Sequence, residues 1–138
     1  MELAIENADA WSEFVFSQCN FKDKRLTKRL IQIGSQLSHH TGSSLSSSCE
    51  GDESKLEGSY RLLRNKRVTA KDIGLGGYKA SVKLARQSSI ILAIEDSTSL
   101  SYHHEVRKEL GLTGRYKNAY QRGFMVHSTL LVDAEKER

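Results

Sequence analysis

No apolar run in the 138 residues approaches the roughly 20 that would span a bilayer, so no membrane partner is expected. The opening residues Met1, Glu2, Leu3, Ala4, Ile5 and Glu6 lack a basic segment ahead of a long apolar core. They give no support for a secretory signal, and the expected compartment is the cytoplasm. Cysteine is scarce: Cys19 and Cys49 stand alone, without CxxC spacing or a His pair in metal-ligand register. Free, reduced thiols are expected rather than a zinc site or a disulfide. Gly74, Gly76 and Gly77 lack the GxGxxG spacing and follow no strand, which excludes a dinucleotide fingerprint. Finally, the first twenty residues contain no Lys or Arg at all.

That last absence has a counterpart. Residues 1–20 carry Glu2, Glu6, Asp9 and Glu13, whereas residues 21–40 carry Lys22, Lys24, Arg25, Lys28 and Arg29 against Asp23 alone. A second basic cluster, Arg61, Arg64, Lys66, Arg67 and Lys71, follows the acidic Glu50, Asp52, Glu53 and Glu57. The overall charge of +4 therefore understates a segregation that suits a polyanionic partner. The plainer alternative is a set of solvated helix faces. Hydrophobic residues at 38% and charged residues at 28% fit a globular chain of one domain or two small lobes.

Helical spacing dominates the first two thirds. Ala8, Trp11 and Val15 predict a short helix over residues 7–19 with Trp11 in the core. Asp23 is a plausible N-cap for a helix to about residue 38, whose stripe is Leu26, Leu30, Ile33 and Leu37. Arg25 and Arg29 share another face of it, with Lys24 and Lys28 beside them. Residues 41–48 form a hydroxyl-rich loop between the two basic clusters, and hydroxyls and loop amides are common phosphate contacts. Leu56, Tyr60 and Leu63 mark a further helix from about residue 52 to 65. Thr69 and Asp72 make a variant capping box that opens a helix to about residue 87.

The last third changes character. Ile90, Ile91, Leu92, Ala93 and Ile94 form an apolar run ending in Glu95 and Asp96, which predicts a strand buried on both faces. Adjacent strand residues point oppositely, so one of the two carboxylates is a candidate ligand; otherwise both simply mark where the strand surfaces. A short helix is expected over residues 102–110, then a basic loop over 115–123 with Lys117 and Arg122. Residues 124–132 predict a central strand, in which His127 is a ligand, a proton shuttle or, more simply, a core histidine. Two strands alone are not a stable sheet, so the sequence looks truncated after the second strand.

Several strings carry a resemblance: Arg25-x-x-Lys28-Arg29-Leu30, Glu57-Gly58-Ser59-Tyr60-Arg61, Ile94-Glu95-Asp96-Ser97-Thr98-Ser99-Leu100-Ser101-Tyr102, and Val126-His127-Ser128. In this order, over nearly the whole chain, they resemble the N-terminal part of the Tn-five-type cut-and-paste transposases of the insertion-sequence-four group. The resemblance implies an α+β chain: a helical lobe over residues 1–68 that binds transposon-end DNA, then the first strands of an incomplete ribonuclease-H-like domain over 69–138. It implies end-DNA contacts at Lys24, Arg25, Lys28, Arg29, Thr41, Ser46, Arg61 and Arg64. It makes Asp96 the first metal-binding, catalytic acid of an Asp-Asp-Glu triad that holds Mg2+ or Mn2+ in the complete enzyme. The second Asp and the Glu are absent here, so this chain is expected to be inactive alone and not to hold the metals stably. The implied partners are double-stranded DNA and a full-length transposase or a second copy, in a bacterial, nucleoid-associated setting. The alternative is a truncated regulator that occupies transposon ends without chemistry. A generic basic module is weaker, because it leaves the Glu95-Asp96 strand unexplained.

Overall fold

The computed structural model describes residues 7–113 and 121–135. The chain divides after Gln87 into two compact units, a helical one and a sheet.

In the helical unit, α1 (Ala8–Phe16) starts at Asn7, whose side chain accepts from the Ala10 amide at 2.8 Å. Asp23 does the same for α2 (Lys24–His39), accepting from the Arg25 amide at 2.9 Å. Each cap satisfies an amide that the first turn leaves without an intrahelical partner. After α3 (Leu45–Ser48) come α4 (Glu53–Leu63) and α5 (Ala70–Ala85), the latter capped by Thr69, whose hydroxyl accepts from the Asp72 amide at 3.1 Å. The core is built from Cys19, Phe21, Leu30, Ile33 and Leu62, with Phe16, Leu26, Leu45, Val68 and Ile73 packed around it.

Small residues set the helix crossings. A Cβ on Gly34 would run into the Phe16 ring and the Ser12 hydroxyl, so α2 accepts α1 only because that position is bare. Ser12 is fully buried and donates to the Ile31 carbonyl at 2.6 Å across the same crossing. Gly76 likewise leaves room for the Cys19 thiol against α5. Burial raises the pKa of that thiol, with the Asp72 carboxylate adding to the effect. Both cysteines are free and buried.

Several expectations change here. Trp11 is not core: it remains 38% exposed, edge-on to Phe16 with centroids 5.7 Å apart. In α4 the buried positions are Ser59 and Leu62, while Tyr60 and Leu63 of the expected stripe are exposed. The helix turns its small residues inward because it packs close to α2. The loop over residues 41–48 contains α3, which Ser44 nucleates by accepting from the Ser47 amide at 3.1 Å.

The second unit is an antiparallel sheet in the order β1-β3-β2, with β1 (Ile91–Tyr102), β2 (Gly111–Leu112) and β3 (Arg122–Asp133). β3 is central, as its two-sided apolar pattern predicts. The first strand does not stop at Asp96. It runs on through Ser97, Ser99 and Ser101 because β3 pairs with every residue as far as Tyr102. Nor is it buried on both faces: Leu92 is 51% and Ile94 55% exposed. The expected helix over residues 102–110 shrinks to a 3-10 turn, Glu105–Glu109, before β2. Arg115 and Lys117 of the expected basic loop lie outside the described residues, whereas Arg122 opens β3 and donates to the Leu110 carbonyl at 2.8 Å.

Candidate nucleic-acid interface

The predicted contact residues fall on three neighbouring elements of the helical unit. On α2, Lys24 and Lys28 are exposed and make no ion pair among the described residues. Two uncompensated ammonium groups one turn apart form a row suited to successive phosphates. Arg25 differs. Its guanidinium grips the cap residue Asp23 through two bonds of 3.2 and 3.1 Å, and this hydrogen bonding holds the Asp23 carboxyl below its ordinary pKa. Arg29 is half-buried, and its guanidinium lies against Gly58 of α4, where a Cβ would come within 2.9 Å of Cζ. A Cβ there would displace that flexible guanidinium.

On α4, Arg61 reaches back one turn to Glu57 at 2.5 Å, and Arg64 lies 5.6 Å above the Tyr60 ring. Exposed i,i+4 pairs are worth about 0.3–0.5 kcal/mol, so the Arg61–Glu57 pair is readily exchanged for a phosphate or a base edge. Between these helices, Thr41 and Ser46 are exposed. Thr41 sits in the turn closed by the Ser43 amide on the His40 carbonyl at 3.0 Å, with Gly42 at a φ of +82°. The His40 ring spans the base of the loop: one nitrogen meets the Gln36 carbonyl and the other the Glu50 carboxylate, each at 3.1 Å. The structure thus brings α2, the loop and α4 into one unit, with Lys24, Lys28, Thr41 and Ser46 without a charged partner among the described residues and Arg25 and Arg61 each held by a carboxylate.

Residues 8–68 match the family model described as transposase DNA-binding. The match covers α1 through α4 and supports a transposase N-terminal region that binds DNA. All eight predicted contact residues lie inside the matched segment. No described helix is long and apolar enough to cross a membrane.

Asp96 lies outside that segment, on β1 opposite Ser128. Strand alternation puts Glu95 on the other face, where its carboxylate is 3.7 Å from the His127 ring. His127 is not the expected core residue: its side chain is 59% exposed, and Nδ1 shares a 2.8 Å hydrogen bond with the Ser97 hydroxyl. Mg2+ and Mn2+ favour several oxygen ligands, carboxylates above all. Asp96 has hydroxyl neighbours on its face, Thr98 and Ser128, but no second carboxylate on that face of the described strands, where Glu95 and Asp133 point the other way. No described group of three or more His, Cys, Asp or Glu side chains is arranged to hold a metal ion. These residues do not fit a two-metal centre.

Sequence patterning overlooked Lys79 and Lys83, which sit one turn apart on α5. The Lys83 ammonium bonds the Gln18 side-chain oxygen at 2.7 Å, bringing it to the turn that precedes α2. Their i,i+4 spacing was the available signal, masked by the neighbouring glycines.

Proposed function

We propose that this chain binds the ends of a mobile DNA element as the N-terminal part of a Tn-five-type transposase. Lys24 and Lys28 lie along the phosphates, with Arg25 and Arg64 in support. Arg29, the loop carrying Thr41 and Ser46, and Arg61 approach the bases. The carrying observation is that the segment matching a transposase DNA-binding model is the one whose α2 displays unpaired cations. Selection from a randomised duplex pool, followed by anisotropy on the enriched sequence, tests it: end-like specificity is expected, and recovery of no preferred sequence contradicts it.

On the same reading, β1 to β3 are the opening strands of a ribonuclease-H-like sheet whose remaining elements lie outside these residues. Asp96 then corresponds to the first metal-binding acid of the complete enzyme. A single carboxylate does not make a two-metal catalyst, so the chain by itself neither nicks nor joins DNA. Its product is occupancy of the end, alone or beside a full-length transposase or a second copy. The lone Asp96 on its face favours this regulatory form of the reading. Nicking of an end-bearing duplex with Mn2+ above an Asp96→Ala control would overturn it.

A further inference from the structure

Two adjoining concavities lie where the turn between α1 and α2 meets the turn between α4 and α5. They measure about 470 and 400 Å3 and share Asn20 and Lys22 in their walls. Lys24 and Lys28 line the first and Arg67 the second. From α5, Lys83 reaches the rim through Gln18, itself part of the first wall. Lys79 precedes Lys83 by one turn on the same helix.

Against these cations stand Asp23 and Asp72. Asp23 is neutralised by the two-pronged grip of Arg25, and Asp72 accepts from the Thr69 hydroxyl at 2.7 Å as part of its helix cap. The remaining charge is positive, concentrated in a concave surface, and drawn from four segments of the chain. The floor is firm: the Thr27 hydroxyl donates to the Cys19 carbonyl at 3.2 Å, and bare Gly76 seats α5 against the thiol. Lys22 itself has a φ of +59° and takes its amide to the Asn20 side-chain oxygen at 3.0 Å, so its side chain leaves the turn from a left-handed backbone. Ammonium and guanidinium groups gathered on a concave surface, without an ion pair among the described residues, focus field and select phosphate.

We infer that this paired concavity binds phosphate groups of a polyanion, extending the DNA footprint beyond α2 and α4 onto α5, which lies outside the segment matched to the transposase family. The inference rests on the DNA-binding reading, and its phosphate chemistry has two sources: a duplex backbone or a free polyphosphate. The experiment uses the full chain with a labelled duplex from 50 to 200 mM salt. The variants are Lys79→Gln/Lys83→Gln, Lys22→Asn, which keeps a residue at ease in the left-handed region, Arg61→Ala, and a charge control, Lys108→Gln. Thermal melts establish that each is folded.

Neutralising Lys79 and Lys83 should lower the salt slope by about 2 and weaken binding about tenfold at the lowest salt, equally on all sequences, and Lys22→Asn should lower the slope by about 1. Lys108→Gln should change neither. If Arg61→Ala weakens binding while the Lys22 and α5 variants match the wild type, the cleft is refuted and the DNA reading stands. If the wild type binds no duplex, the DNA reading fails and titration with ATP decides the cleft. ATP binding abolished by Lys22→Asn would make it a free-polyphosphate site; no ATP binding would overturn it.

Discussion

The helical unit and the sheet spend their apolar residues in opposite ways. Up to Gln87 the chain buries Leu30, Ile33 and Leu62 around Cys19 and Phe21. From Ser88 onward, Gly123 is the one buried position among the described residues, while Leu92, Ile94, Phe124 and Leu130 are about half exposed or more. A helical lobe with its own core can present a cationic face on a fixed frame. The described residues of the second unit build no comparable buried core. The proposed binding face is carried by the first unit, the one with a buried core of its own.

Core truncation should break this contrast most strongly. Leu62, only 2% exposed, should cost about 2–5 kcal/mol on change to Ala, whereas Leu130→Ala should cost under about 1 kcal/mol. Urea unfolding followed by the single tryptophan, Trp11 on α1, reports the first directly. Next comes Gly34→Ala, which forces a Cβ into Phe16 and Ser12 and should cost about 1–3 kcal/mol in the same assay. An unaffected midpoint would mean that α1 does not cross α2 at Gly34.

Of comparable size is the effect on recognition. Arg61→Ala should cost about 1–3 kcal/mol on the preferred sequence and little on others, as measured by competition with base-substituted duplexes. An equal loss on every sequence would make Arg61 a phosphate contact instead.

The smallest effect is acid sensitivity. Asp9 accepts from Ser35 and meets the His39 ring at 3.1 Å, and these contacts, Ser35 first, hold its carboxyl below its ordinary value of 3.8. The folded state therefore binds the proton less readily than the unfolded one. The stabilisation is fully present above pH 3.8 and fades as the pH falls below it. An Asp9→Asn variant should be slightly less stable at neutral pH, with the gap to wild type closing below about pH 4; a gap that widens there would reverse the sign.

How much of this was legible in the sequence depended on what held each element. The α2 stripe, the Asp23 cap and the Thr69–Asp72 cap were readable because periodicity and capping are local. The inward face of α4 was not, because one of its buried positions is Ser59, which carries no hydrophobic signal. The strand was expected to end at Asp96, yet pairing with β3 continues it through Ser97 to Ser101; the Ser97–His127 and Ser99–Met125 contacts come from a register fixed some thirty residues away. The α2 cations were visible as a cluster, but their pairing was not: only geometry separates Lys24 and Lys28, which are unpaired, from Arg25, which is held by its own cap. Lys79 and Lys83 acquire meaning only once α5 is packed beside the Cys19 turn.

The central claim is that the unpaired cations of α2 engage a DNA backbone. It is tested most directly by the salt dependence of duplex binding for the full chain and for Lys24→Gln/Lys28→Gln. Two lost phosphate contacts should lower the slope of log K against log salt by about 2, with the thermal midpoint unchanged. A double variant that binds with the wild-type slope would contradict the account.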